Sequence, residues 1–239
     1  MIYRDLTFPT IKGRPFFYTN FVQTIDGKVQ VVGDPKAYWP LGSKVDYQTL
    51  VMLRAHADVL VHGKNTAVAF PILKNLAKSD FKKFRKQFKK PASFVYVVVS
   101  GHPDNKLIDA FRDAPNWCKV ILATTENAKV PSAKNVEVVR AGEEEIDLKK
   151  LSSWFYKNKL NHVLVEGGPH LLGSFLKEDL IDEVFTTIAP KIWGNENGKT
   201  LTMVEGVLFK PQDVKKFKLV SAQKVGDEVF LRYKILDGK

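Results

Sequence analysis

The stretch Val165-Glu-Gly-Gly-Pro169 sets a carboxylate, two glycines and a proline between an apolar run and a helical pattern. His162 to Glu166 reads as a buried strand, and Pro169 suits the first turn of a helix, where its missing N–H would be unpaired anyway. Gly167 and Gly168 remove side chains where the free N–H groups emerge. A phosphate can then approach the backbone and the positive end of the helix dipole. Glu166 offers acceptors to N–H groups of a ligand at the same strand end. Gly173 inside the helix costs about 1 kcal/mol against alanine, which points to close packing or a close ligand. An ordinary strand–loop–helix connection accounts for the same residues without a ligand, and the stretch alone does not choose between them.

The elements that must position these groups follow from periodicity. Phe16 to Val22 reads as a strand, Asp26-Gly27 as a turn and Lys28 to Val32 as a second short strand. Gly33 to Leu41, with its two prolines and Trp39, is a loop. Ser43 and Asp46 form a capping box for a helix whose stripe is Tyr47, Leu50, Val51 and Arg54. The arginine at the end of that stripe either snorkels to the rim or meets an anion near the sheet. Strands are expected at Ala57 to His62, Phe94 to Val99, Lys119 to Ala123, Val136 to Val139 and Glu183 to Ala189. A helix capped by Asp147 precedes the His162 strand, and Lys216 to Ser221 with Glu228 to Ile235 forms a closing antiparallel hairpin. The expected fold is a single α/β domain with a mostly parallel central sheet, flanking helices and a C-terminal hairpin. Three loops rich in glycine or small polar residues fall at strand carboxyl ends: Gly63 to Thr66, Ser100-Gly101 and Gly167-Gly168. That is the edge of an open α/β sheet where ligands bind, and it favours a nucleotide site.

Composition narrows the classes. Hydrophobic content of 44% and charged content of 26% are globular values. No apolar run is long enough to cross a bilayer, and the first residues lack the basic-then-apolar pattern of a signal peptide. Cys118 is the single cysteine, which excludes an intramolecular disulfide and fits a reducing compartment, so a cytoplasmic protein is expected. The net charge of +11 owes much to Lys74–Lys90, with eight basic residues against the single acid Asp80. Within it Phe81, Phe84 and Phe88 fall on one helical stripe after Ser79 as a cap, with the basic face outward. Aromatics on the buried stripe are unavailable for base stacking, so a solvated surface helix is favoured over nucleic-acid binding. The five histidines form no metal-ligand spacing, and no Gly-x-Ser-x-Gly elbow marks a serine hydrolase.

Five motifs occur in order: Phe21-Val-Gln-Thr-Ile-Asp-Gly-Lys28, Leu53-Arg-Ala55, Asp58-Val-Leu-Val-His-Gly-Lys-Asn-Thr66, Val165-Glu-Gly-Gly-Pro169 and Asp182-Glu-Val184 with Ala189-Pro-Lys-Ile-Trp-Gly194. Together they resemble the riboflavin-biosynthesis pyrimidine reductases, a branch of the dihydrofolate-reductase-like fold, from about Pro15 to the last strand. Asn20 is closer to the stand-alone archaeal and fungal form, and one cysteine cannot supply the zinc signature of the deaminase that accompanies the bifunctional form. The resemblance implies a homodimer that uses NADPH to reduce the ribosylamino group of a pyrimidine 5′-phosphate. By that resemblance Gly168 to Ser174, including Pro169, His170 and Leu171, cradle the cofactor pyrophosphate beside Gly167 and Gly63. Thr66 meets the nicotinamide half, Gln23 touches the nicotinamide through its backbone, and Ser100 lies at the adenosine end. Asn20, Asp26 and Glu166 line the substrate side, while Arg54 and Trp39 hold the substrate. Asp26 is equally explained as a turn former, and Trp39 as a loop aromatic over the core. After Thr66 the family pattern is broken: Ala67 to Asn75 lacks the expected aspartates and the arginine that meets the substrate phosphate, leaving Lys74 or Lys78 to supply that charge. A related reductase with another pterin-like or pyrimidine substrate, and an idle nucleotide- or nucleic-acid-binding relative, remain as alternatives.

Overall fold

The computed structural model describes residues 2–3, 5–37, 40–70 and 72–236. The chain forms β1 (Phe16–Thr24), β2 (Gln30–Val31), α1 (Lys44–His56), β3 (Val59–Gly63), α2 (Lys64–Ala69), α3 (Ile72–Lys78) and α4 (Phe81–Gln87). There follow β4 (Phe94–Val99), α5 (Asn105–Asp109), β5 (Cys118–Thr124), β6 (Val136–Arg140), α6 (Leu148–Lys157), β7 (His162–Val165) and α7 (Pro169–Lys177). The chain closes with β8 (Glu183–Ala189), β9 (Thr200–Leu201), β10 (Phe217–Val225) and β11 (Glu228–Ile235).

Nine strands make one sheet in the order β10-β11-β8-β1-β7-β3-β4-β5-β6. The pairs from β8 to β6 are parallel, and only β11 on β8 and β10 on β11 are antiparallel. The expected mostly parallel sheet with a closing hairpin is the observed one. Period-two alternation divides the strand side chains between two cores. Phe16, Tyr18, Leu60, Tyr96 and Leu164 face α1, α3, α4 and α5, whereas Phe17, Val61, Val97, Val163 and Val165 face α6 and α7. Burial on both faces is why these strands read as nearly unbroken apolar runs.

Two expectations change. The stretch after Thr66 that breaks the family pattern carries two short helices, α2 ending at Ala69 and α3 beginning at Ile72, where no helix is read from the sequence. The basic face of α4 is not wholly solvated either. Arg85 is buried, and its guanidinium donates to the carbonyls of Ala57 at 2.6 Å, Pro91 at 2.8 Å and Ser93 at 2.9 Å. These carbonyls need donors where α1 ends and β4 begins, and a five-donor fork can serve several at once.

Charged groups also fasten the amino edge of the sheet. Asp58 accepts from the Asn161 and His162 N–H groups, both at 3.0 Å, and from Lys90 Nζ at 2.9 Å, joining β3, β7 and the end of α4. Burial raises the Asp58 pKa, but His162 and Lys90 outweigh it and hold the carboxyl well below its usual range. Because the folded pKa is depressed, the stabilisation is complete above the unfolded value and is lost as pH falls through the folded one. Asp58→Asn is expected to cost about 1–2 kcal/mol at neutral pH, with the difference from wild type shrinking once pH drops below ~4. Urea unfolding at several pH values measures this; a penalty independent of pH would contradict the assignment.

Candidate active site

Because β1, β7 and β3 are parallel neighbours, their carboxyl ends open on one edge, with β7 in the middle. Glu166 follows β7 there, and its N–H donates to Val61 O at 3.0 Å, which keeps the backbone in register one residue past the strand. The carboxylate is gripped by Arg54 of α1: Nε donates at 2.8 and 3.0 Å to the two oxygens, and Nη2 donates at 2.6 Å. The two side chains are only 6% and 4% exposed. Arg54 therefore does not snorkel to the rim; the anion it meets near the sheet is Glu166. Burial favours the neutral acid, yet Arg54 and then His62 overcome that, so the Glu166 pKa is lowered.

His62, at the end of β3, completes the cluster. Its Nε2 lies 3.5 Å from Glu166 Oε2 and its Nδ1 lies 3.1 Å from the Tyr96 hydroxyl. Burial lowers the His62 pKa in spite of the neighbouring carboxylate. A neutral imidazole that accepts from Tyr96 at Nδ1 directs Nε2–H toward Glu166. The sequence places His62 beside a candidate site loop but, with no metal-ligand spacing among the histidines, assigns it no role.

Two cavities flank this cluster. One, of about 180 Å³, is walled by Asn20, Asp46, Leu50, Arg54, His62, Phe70, Asn75 and Glu166. The other, of about 350 Å³, is walled by Gly63, Lys64, Asn65, Gly167, His170 and Leu171. They share Gln30, Pro35, Thr66, Gly168 and Pro169, so the glycine turn divides one cleft into two halves. A larger cavity of about 790 Å³ lies at the other sheet edge, where Arg14 and Lys215 pair with Asp182 and Asp179.

Each glycine of the turn has its own reason. A Cβ on Gly167 would overlap the His62 Cα and the Gly63 nitrogen, so this glycine permits the close approach of β3 and β7. Gly168 has φ +50°, and a Cβ there would project to 3.6 Å from Thr66 Oγ1, into the space between the halves. No side chain caps α7 at Gly168; Pro169 carries no N–H and the Leu171 and Leu172 N–H groups donate to Gly168 O at 3.1 and 3.2 Å, so of the first turn it is the His170 N–H that is left for another acceptor. Gly173 resolves as packing, since a Cβ there would overlap Glu205 O.

The remaining candidates are dispersed. Asp26 accepts from Thr24 Oγ1 at 2.5 Å, from Trp193 N at 3.2 Å and from Gly194 N at 2.8 Å, chiefly pinning the turn after β1. These contacts, led by Thr24, lower its pKa. Gln23 Oε1 sits 4.0 Å from the Cβ position of Gly27, over that turn. Ser100 is buried beyond β4, its N–H donating to Ala123 O at 3.0 Å, and it belongs to neither half of the cleft. Lys74 is exposed, and its neighbour Asn75 takes the place in the wall. Trp39 lies outside the described residues. The helix α1 also departs from the reading of its stripe: Tyr47 is 41% exposed, and Asp46, Tyr47, Leu50 and Arg54 turn to the cavity rather than the core.

With this geometry, comparison with known proteins gives a consistent result. The family model of the RibD C-terminal domain matches residues 15–231, and the chain belongs to that family. The 2,5-diamino-6-ribosylamino-4(3H)-pyrimidinone 5′-phosphate reductase of Archaeoglobus fulgidus is 23% identical over 216 residues, 90% of this chain and 95% of that protein. The protein of the same name from Methanothermobacter thermautotrophicus is 25% identical over 236 residues, 93% of this chain and 99% of its own length. Among solved structures, Acinetobacter baumannii RibD in its form 1 superposes with a TM-score of 0.70 at 19% identity, covering 95% of this chain and 59% of that one. The fold is shared, and the chain corresponds to a little over half of that longer RibD chain.

Removing one member of the Glu166–Arg54 pair leaves a buried charge alone. Arg54→Met is expected to lower stability by about 3–5 kcal/mol, and adding Glu166→Leu to recover much of that loss. Urea midpoints of the two variants test it; a double variant no more stable than the single one would contradict the pairing.

Proposed function

We propose that the protein is an NADPH-dependent reductase that converts the ribosylamino side chain of a pyrimidine 5′-phosphate to ribitylamino. The observation that carries this reading is the divided cleft: the uncapped start of α7 opens on one half, and the ion-paired Glu166 lines the other. The relatives' names support the reaction class and the pyrimidine ribosyl phosphate substrate. The preference for NADPH, a cytoplasmic location and a homodimeric state rest on the motif resemblance.

The larger half fits a dinucleotide pyrophosphate: the start of α7 has no side-chain cap, which leaves the His170 N–H and the positive helix end for an anion, and Gly168 presents no Cβ. Gly63, Gly167, Gly168, Pro169, His170 and Leu171 would hold the phosphates, and Thr66, in the shared wall, the nicotinamide half. A bound nicotinamide cofactor supplies the hydride. The chain's own residues do the rest by positioning and electrostatics. Arg54 and His62 keep Glu166 ionised and fixed in direction, so that it accepts hydrogen bonds from substrate N–H groups. Asn20 and Asn75 add amide groups to the same wall. Leu50 and Phe70 keep part of it apolar and limit water near the reacting carbon. Asp26, committed to Trp193 and Gly194, shapes the rim rather than the chemistry. The nucleic-acid alternative loses support from α4, whose Phe81 and Phe84 are buried and whose Arg85 is occupied by carbonyls.

Calorimetric titration with NADPH and NADH, followed by loss of the 340 nm absorbance on adding the aminated or deaminated ribosylaminopyrimidine phosphate, tests the proposal. Tighter binding of NADPH and oxidation that requires a pyrimidine are expected. Absence of binding of either nucleotide would overturn it.

A further inference from the structure

His62 and Tyr96 place polar atoms inside the core layer between the sheet and α1. The parallel register sets His62 opposite Val98 and Tyr96 opposite Leu60, so the two are diagonal neighbours on that face of the sheet. Both are buried; His62 lines the substrate half of the cleft, and Tyr96 lines neither half. Among the described residues the Tyr96 hydroxyl has one hydrogen-bond partner, His62 Nδ1 at 3.1 Å. A buried hydroxyl proton needs an acceptor, and Nδ1 accepts only in the tautomer that carries the ring proton on Nε2. The other side of the ring gives the same answer. Nε2 lies 3.5 Å from Glu166 Oε2, where an N–H is attracted to the carboxylate and a lone pair is repelled. The oxygens of Glu166 are unequally occupied in consequence. Oε2 faces His62 Nε2 and accepts from Arg54 Nη2 at 2.6 Å and Nε at 2.8 Å, while Oε1 has only the longer Nε contact at 3.0 Å. Oε1 is therefore the oxygen with acceptor capacity to offer a ligand.

Resting on the reductase reading, we propose that His62 and Tyr96 are positioning residues: the hydroxyl holds the imidazole in its Nε2–H form, the imidazole holds Glu166 Oε2 inward beside Arg54, and Oε1 is left as the acceptor for a substrate N–H. An apolar side chain at position 62 would fill the space but give Oε2 no second donor, and the carboxylate could then turn about its contact with Arg54. The charged and titratable groups that face His62 are Tyr96 from β4, Glu166 after β7 and Arg54 from α1, with Asp46 farther along the same cavity wall. Helices α2 and α3 contribute Thr66, Ile72 and Asn75 to that wall and no charge. Burial, helped by Arg54, lowers the His62 pKa against the pull of Glu166, so the ring is neutral through the range where an ordinary histidine titrates.

The test uses His62→Leu, His62→Gln, Tyr96→Phe and the double variant His62→Leu with Tyr96→Phe, and reads kcat/KM for the ribosylaminopyrimidine phosphate, calorimetric binding of its ribityl product, and urea midpoints. His62→Leu loses the donor, and a fall of roughly tenfold in kcat/KM is expected, about the worth of one hydrogen bond to a charged group. His62→Gln, whose amide can donate to Oε2, is expected to recover most of that loss. Tyr96→Phe is expected to cost about threefold in wild type and nothing once position 62 is leucine, because it acts through the ring. Nitrogen-15 NMR of histidine-labelled wild type, with His62 assigned by its absence from either His62 variant, is expected to show the neutral Nε2–H form from about pH 8 down to about pH 6. This spectrum decides the tautomer even where one substituted chain fails to fold. An Nδ1–H or protonated ring at neutral pH, a folded His62→Gln no better than His62→Leu, or a Tyr96→Phe loss equal in both backgrounds overturns the inference and leaves the reductase reading intact. If nothing is reduced but product binding follows the same pattern across the variants, the reductase reading falls and the positioning stands. Absence of both turnover and product binding removes the two together.

Discussion

A carboxylate at the end of a strand buried on both faces is tenable only with a fixed counter-charge, and the bidentate contact from Arg54 to Glu166 provides it. The pair joins the helical layer to the middle of the sheet, since α1 carries the arginine and β7 leads to the glutamate. The consequence is chemical as well as structural. Glu166 stays ionised inside a largely apolar wall, held in direction by three hydrogen bonds and by the His62 ring. A group of this kind orients a polar substrate without reorganising when it arrives.

The second constraint is backbone proximity. Strands β3 and β7 approach so closely at their carboxyl ends that position 167 admits no Cβ, and the next residue needs a positive φ to turn the chain into α7. Two glycines that look interchangeable in sequence thus do different work: the first closes the floor of the cleft, and the second sets the divider between its halves. Thr66 and Pro169 complete that divider. Both halves consequently meet at one wall, the arrangement that a two-ligand reaction requires.

Much of this was legible in the residues. Period-two and period-3.6 patterns placed the parallel strands and the two-sided core, and of the three small-residue loops Gly63 to Thr66 and Gly167-Gly168 wall the cleft while Ser100 stands outside it. What stayed hidden depends on contacts between distant parts of the chain. The Ser43–Asp46 capping box is locally convincing, but Glu228, 185 residues beyond Ser43, takes the carboxylate's role, and the Asp46 carboxylate packs over Gly42 instead. Arg85 sits in a run of lysines and looks solvated, yet the carbonyls at the end of α1 draw it inward. His62 occupies a strand position where an apolar residue would also pack, and only the placement of Tyr96 and Glu166 on either side shows its polar function. The departure from the family pattern after Thr66 is resolved as two short helices that bring Phe70 and Asn75 into the wall.

The central claim, that the two halves of the cleft bring a hydride donor against the sugar carbon of a pyrimidine ribosylamine, is tested most directly by isotope transfer. The protein would be incubated with NADPH deuterated at the transferable position of the nicotinamide and with the ribosylaminopyrimidine phosphate, and the product examined by mass spectrometry and proton NMR. One deuterium at C1′ of the ribityl chain, lost from the cofactor in equal amount, is the predicted result. Cofactor oxidised with no deuterium at C1′, or a pyrimidine recovered unchanged beside bound NADPH, would contradict it.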